Sequence, residues 1–235
     1  MNPFDASIMR FVNGYAHISP FFDTLIYTIM GNDLVKGGFI MSLVWFVWFK
    51  NNGELRYNRR EIIIATIMGT LLGVLIVRGI EHFTILRVRP ILNAEIQFTI
   101  PYGISDNMLA MWREKWFNST SFPSDHATLF FGLATGFLFV SRPLGLFILS
   151  YVVFIISLPR IYVGVHYPSD IIVGGLIGGC MTYLFNIPNL RNRLTRPITL
   201  WHQKSPATFY PCFFLFSFEM AELFTNFRVF VKLFF

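Results

Sequence analysis

Glu61-Ile-Ile-Ile-Ala-Thr-Ile-Met-Gly-Thr-Leu-Leu-Gly-Val-Leu-Ile-Val-Arg-Gly-Ile80 is an apolar run with one acid at its start and one arginine near its end. A helix needs about 20 apolar residues to cross a hydrocarbon core, so this run alone can span a bilayer. Further apolar runs fall at 34–49, 127–141, 144–158, 170–187 and 207–228. Several are shorter than a full span and must borrow from their flanks. The expected fold is all-α, a polytopic transmembrane helix bundle of five to six spans with short interfacial helices.

Composition agrees. Of 235 residues, 54% are hydrophobic and only 14% charged, against about 25% charged in soluble domains. The net charge of +6 is too small and scattered to argue for nucleic acid; on a membrane protein such residues first orient the loops. Cys180 and Cys212 lie in apolar sequence, and are expected as buried small hydrophobes rather than a disulfide or a zinc site. Residues 1–20 lack a basic region followed by an apolar core, so the spans themselves are expected to direct insertion.

Three parts are expected. Residues 1–33 hold two short amphipathic helices, Phe4 to Tyr15 and Phe21 to Met30, separated by Ser19-Pro20 and interfacial or re-entrant. Residues 34–190 form the transmembrane core. Residues 191–235 form a basic cytoplasmic segment and an apolar C-terminal helix.

The basic loops decide orientation. Lys50, Arg56, Arg59 and Arg60 (against Glu54 and Glu61), then Arg142, then Arg191, Arg193, Arg196 and Lys204 alternate along the spans so as to share one side. The positive-inside rule makes that side cytoplasmic, so segments 81–126 and 159–169 face outward. The tail from Phe209 is rich in phenylalanine but carries Glu219, Glu222, Arg228 and Lys232. It reads either as a sixth span ending near Phe227 or as an in-plane amphipathic helix.

The outward segments hold three polar clusters. In the last, His166 and Asp170 are four apart with Pro168 between, and proline favours a helix's first turn, so a helix should start near Pro168. Asp170 could then fix the imidazole tautomer and leave the other ring nitrogen free to attack. Arg160, one loop earlier, offers donors matched to phosphate oxygens. A structural His-Asp pair is the plainer alternative. The middle cluster, Pro123-Ser124-Asp125-His126, opens an apolar helix at Ala127, and helix N-termini bind anions. Ser124 offers a hydroxyl and His126 a general acid; the plainer alternative is a helix cap with an incidental histidine. The first cluster, His82 with Arg87 and Arg89-Pro90, would by itself read as topological or lipid-facing.

In order, the three clusters resemble the type 2 phosphatidic acid phosphatase superfamily, which includes vanadium-dependent haloperoxidases, over roughly residues 60–187. The family pattern is Lys-x6-Arg-Pro, Pro-Ser-Gly-His and Ser-Arg-x5-His-x3-Asp. Arg89 and Pro90 match the first motif. Pro123, Ser124 and His126 match the second, with Asp125 at the glycine position. Arg160, His166 and Asp170 match the third. The resemblance implies that His166 is a nucleophile oriented by Asp170 and that His126 is the general acid. Arg89, Arg160, Ser124 and the Asp125 amide would hold the phosphoryl oxygens. Two positions depart: His82 stands at the lysine position and Pro159 at the serine position. The lysine's role could then be pH-dependent at His82 or pass to Arg78 or Arg87.

The implied activity is an integral membrane phosphatase acting on a lipid phosphate or diphosphate of the undecaprenyl diphosphate, phosphatidylglycerol phosphate, phosphatidic acid or lipid A phosphate type. No metal and no cofactor are expected, because arginines and amides can neutralise the phosphoryl oxygens. The expected location is a bacterial inner membrane, the site facing the periplasm or exterior. The aromatic segment 91–121, with Trp112 and Trp116, is an interfacial element suited to choosing the lipid. A lipid phosphotransferase, a haloperoxidase, a transporter and a degenerate membrane scaffold are the other readings.

Overall fold

A computed structural model describes residues 2–50, 55–84, 86–94 and 96–231, and among these every regular element is helical. Glu54 and Lys232 lie outside the described residues. In chain order the helices are α1 (Pro3–Asn13), α2 (Pro20–Gly31), α3 (Phe39–Phe49), α4 (Leu55–Phe83), α5 (Asp106–Lys115), α6 (Asp125–Val140), α7 (Arg142–Tyr151), α8 (Leu158–Tyr162), α9 (Pro168–Phe185), α10 (Pro188–Lys204), α11 (Pro206–Ala221) and α12 (Thr225–Val231). A wide π-helical turn, Leu34–Gly38, leads into α3, and a second, Val152–Ser157, joins α7 to α8.

Among the described residues, three helices are long and apolar enough to cross a membrane: Asn58–Phe83, Arg142–Tyr162 and Pro168–Phe185. Leu34–Phe49 and Asp125–Val140 are apolar but shorter. The outer faces carry exposed Leu75, Phe154, Ile172 and Leu176, the surface a lipid-facing bundle presents.

Central packing involves α4, α6 and α9. Lipid tails are as apolar as leucine, so helices in a bilayer associate through close approach of small residues and through hydrogen bonds. Both are present. A Cβ at Gly174 would stand 2.3 Å from the Ser124 carbonyl oxygen, and one at Gly178 would stand 2.0 Å from that of Thr128. Thr70 and Thr182 share a hydrogen bond of 3.0 Å between hydroxyls, and Asn186 Nδ2 donates to Thr66 Oγ1 at 3.3 Å. Overpacking typically costs about 1–3 kcal/mol, and here the obstacle is backbone. Gly178→Leu should therefore lower the melting temperature in detergent and prevent monodisperse purification. Gly79→Leu, at a position with open space, should be tolerated; size-exclusion chromatography and thermal unfolding compare the two.

The short helices sit where the sequence suggests, with Ser19 capping α2. Asn13 of α1 exchanges hydrogen bonds with Thr99 at 2.7 and 2.9 Å, and Asp23 of α2 accepts from Tyr102 N–H at 2.8 Å. These contacts latch the loop before α5. In the tail, Trp48 stacks on Phe209 while Gly37 meets Ala221, so α11 runs antiparallel along α3. It stops at Ala221 rather than continuing to Phe227, and α12 follows separately. The basic segment 191–204 is itself helical, within α10.

One expectation is corrected. Cys180 and Cys212 are exposed, not buried. Cys180 lies four residues from exposed Leu176 on the outer face of α9, so a thiol read as core belongs to the apolar exterior.

Candidate active site

Three loops meet where α4 and α8 end and where α6 and α9 begin, and backbone hydrogen bonds lace them together. Ser121 N–H donates to Arg87 O at 2.9 Å, Ile91 N–H to Gly164 O at 2.9 Å, and Ser124 N–H to Asp170 O at 3.1 Å. Gly164 has φ +75, in the left-handed region, and a Cβ there would meet Phe98. Glycine is therefore required at the turn that presents His166.

His166 is buried. Its Nδ1 lies 2.9 Å from the Ser121 carbonyl oxygen and 3.8 Å from Asp170 Oδ2. A carbonyl only accepts, so Nδ1 carries the proton and Nε2 holds the lone pair. The nearer partner of Nδ1 is thus a backbone carbonyl, with Asp170 behind it. Nε2 lies 3.4 Å from Arg89 Nη1. Burial favours the uncharged ring and lowers the His166 pKa; Asp170 opposes this and Arg89 reinforces it. Asp170 opens α9 as expected: Pro168 is in the first turn, and Asp170 Oδ2 accepts from Tyr167 N–H at 2.8 Å.

Arg89 reaches His166 from across the loops. Its Nη1 donates to Val165 O at 3.0 Å, and its guanidinium lies 4.5 Å from the Trp116 ring centroid. Among the described residues the buried Arg89 Nε and Ser121 Oγ find no partner, which leaves donors beside His166 available to an anion.

His126 stands at the start of α6. Its Nδ1 lies 2.9 Å from Asp125 Oδ1, and Asp125 also pairs with Arg78. The carboxylate can only accept, so His126 Nδ1 is protonated and the ring is held by its neighbour in sequence. Ser124 Oγ accepts from Ala127 N–H at 3.3 Å, as a helix cap does. Arg160 is 4% exposed, with Nη1 donating to Ile156 O at 2.8 Å, and its charge acts on His126 and Asp125.

His82 is exposed, its ring edge-on to Phe83. Arg78, one turn earlier on the same face of α4, is the cation held at Asp125. Arg87 turns the other way, to Asp5 and Asp170. Sequence reasoning missed Asp5 altogether, because nothing local to α1 ties it to Ser169, 164 positions later. Among the described residues no group of three or more His, Cys, Asp or Glu is placed to hold a metal ion.

The model of the PAP2 superfamily matches residues 63–193, more than half of the chain and all three polar clusters. The chain belongs to the PAP2 superfamily. Three relatives extend the comparison. The lipid A 4'-phosphatase of Bacteroides thetaiotaomicron is 46% identical over 66 residues, 27% of this chain and 29% of that protein. The putative undecaprenyl-diphosphatase YbjG of Escherichia coli K12 is 33% identical over 85 residues, 35% of this chain and 43% of that protein. The undecaprenyl-diphosphatase BcrC of Bacillus subtilis 168 is 22% identical over 178 residues, 76% of this chain and 80% of that protein. The chain thus matches less than half the length of the first two relatives. No solved structure matches. Within this PAP2 chain, the matched segment contains every candidate site residue except the supporting Asp5.

Proposed function

We propose that this protein hydrolyses a lipid phosphate or diphosphate through a phosphohistidine at His166, without a metal ion. The observation that carries the reading is the His166 ring: Nδ1 committed to a carbonyl, Nε2 facing the Arg89 guanidinium. In the first step the Nε2 lone pair attacks phosphorus and the bond to the leaving oxygen breaks. His126, held on Asp125, gives that oxygen a proton; burial and Arg160 disfavour its charged form, and the negative charge of the bound phosphate, added to Asp125, is what favours a proton on Nε2 during the step. In the second step His126 takes a proton from water, whose oxygen attacks phosphorus and frees Nε2. Arg89 and Arg160 neutralise the equatorial oxygens, with Arg78 in support through Asp125.

The relatives support a substrate class. Undecaprenyl-diphosphatase BcrC, matched over 80% of its length, favours a polyprenyl diphosphate over phosphatidic acid or phosphatidylglycerol phosphate; the short but more identical lipid A 4'-phosphatase match keeps lipid A in the panel. The proposed setting is a bacterial inner membrane with the site facing outward, since the basic loops lie at the other ends of the spans.

Phosphate release from a panel of these lipids by purified protein in detergent tests the reading, and two further results are expected. Because Arg78 contacts Asp125 while His82 is exposed, Arg78→Ala should lower kcat/KM about 10- to 100-fold, and His82→Ala by less than about threefold. The reverse order would return the lysine's role to His82. The second concerns pH. A lowered His166 pKa means that the imidazole keeps its lone pair below the ordinary histidine range. The acid limb of kcat/KM should accordingly lie below the unperturbed value of about 6.5; a limb above it would contradict the site described.

A further inference from the structure

Asp5 is fully buried, although it belongs to a short N-terminal helix outside the family match. Buried carboxylates are rare unless paired. Asp5 Oδ1 accepts from Ser169 N–H at 2.9 Å, and Oδ2 accepts from Ser169 Oγ at 2.7 Å, Asn2 Nδ2 at 2.9 Å and Arg87 Nη2 at 2.6 Å. The other terminal nitrogen of Arg87 donates to Ser169 Oγ at 2.9 Å and to Asp170 Oδ1, while the guanidinium lies 3.9 Å from the Tyr167 ring centroid. With Asp170 Oδ2 taken by Tyr167 N–H, both oxygens of Asp170 are fixed. Three charges therefore run in alternation from α1 to the residue behind His166.

We propose that Asp5 and Arg87 are positioning residues for the reaction: Asp5 holds Arg87, Arg87 holds Asp170, and Asp170 sets the orientation and basicity of His166. This rests on His166 being the nucleophile. It makes α1 part of the catalytic apparatus and takes Arg87 out of phosphate binding, because both its terminal nitrogens are engaged. Burial alone would raise the Asp5 pKa, but the two Ser169 hydrogen bonds and Arg87 outweigh it and hold the carboxyl below its usual range. Asp5 is thus held in its charged form across the ordinary carboxylate range and above.

The signs are opposite for the two partners. Asp5→Asn leaves Arg87 less compensated, which disfavours imidazolium and lowers the His166 pKa. Arg87→Gln leaves two carboxylates unopposed, which raises it. The double variant restores the net charge and should restore the pKa, while Asp170 still lacks its charged partner. The other charged groups that act on His166 are Arg89 and Asp125; Arg160 and His126 act in turn on Asp125, and Tyr167 lies against Arg87. They are the same in every variant.

The test is a carbon-13 NMR titration of histidine-labelled full-length protein in detergent, with the His166 signal assigned by its loss in His166→Gln. A downward shift of about half a unit in Asp5→Asn and an upward one in Arg87→Gln are expected. Alongside, Asp5→Asn should lower kcat about tenfold with KM within about threefold. The double variant leaves one buried carboxylate, Asp170, without an arginine where Arg87→Gln leaves two, so it should fold even where Arg87→Gln does not. It should recover the wild-type titration yet lose at least about tenfold in kcat. Unshifted His166 titrations in folded single variants, or full kcat in the double variant, overturn the proposal and mark Asp5 as an anchor of α1 only. Shifts of the expected signs in a protein that releases no phosphate from any lipid would uphold the charge chain while sinking the phosphatase reading.

Discussion

His166→Ala should reduce phosphate release from every lipid in the panel by about 10⁴-fold or more, since loss of a nucleophile removes the covalent route altogether. The proposed role is supported by contacts that do not depend on substrate: a carbonyl on Nδ1 at 2.9 Å and an arginine 3.4 Å from Nε2. Alanine leaves a small buried void but no unpaired buried charge, so the folded protein should still be recoverable. Brief reaction with phosphorus-32-labelled lipid, followed by alkaline denaturation, should trap label on the wild-type chain and none on the variant. Substantial turnover by His166→Ala would show that water attacks the phosphate directly.

The second large effect belongs to His126. His126→Gln should lower kcat on lipid phosphates by about 10² to 10⁴, the usual worth of general acid catalysis. The loss should depend on the leaving group. The alkoxide of a lipid monophosphate leaves only with a proton, whereas nitrophenolate, like the lipid monophosphate expelled from a diphosphate, can depart without one, so hydrolysis of p-nitrophenyl phosphate should fall far less than that of phosphatidic acid. Equal losses on both substrates would mean that His126 binds phosphate rather than protonating the leaving oxygen. Asp125 is relevant here. Where the family motif has glycine, this chain has a carboxylate 2.9 Å from His126 Nδ1, itself paired with Arg78. That carboxylate favours the doubly protonated ring a general acid needs, against burial and Arg160, which disfavour it more strongly until an anionic substrate binds.

Much of this was legible in the sequence, for local reasons. Pro168 marked the start of α9 because proline is favoured in the first turn, and Asp170 consequently falls where its carboxylate reaches back to the Tyr167 amide. Ser19-Pro20 divided α1 from α2 in the same way. Apolar length marked α4, and the clusters at the ends of apolar runs converge because antiparallel helices return their ends to one side.

What was not legible depends on contacts across the chain. Ser121, silent in every motif, supplies the carbonyl nearest His166 Nδ1. Trp116, read as an interfacial aromatic, lies against Arg89. Asp5 meets Ser169 across 164 positions. The choice among His82, Arg78 and Arg87 was open because all three lie within one short stretch, and helix phase with loop path, not composition, decides which cation faces Asp125. The exposed cysteines have a related cause: in a membrane bundle apolar sequence fills the exterior as well as the core, so hydropathy alone does not separate the two.

A cluster of histidines and arginines at one end of this bundle should hydrolyse lipid phosphates without metal assistance. The most direct test is phosphate release by the purified protein in detergent from undecaprenyl diphosphate, lipid A, phosphatidylglycerol phosphate and phosphatidic acid, each with and without EDTA. Release from at least one lipid, fastest from undecaprenyl diphosphate and unchanged by EDTA, is the predicted result. No release from any of them, or release abolished by EDTA, would contradict it.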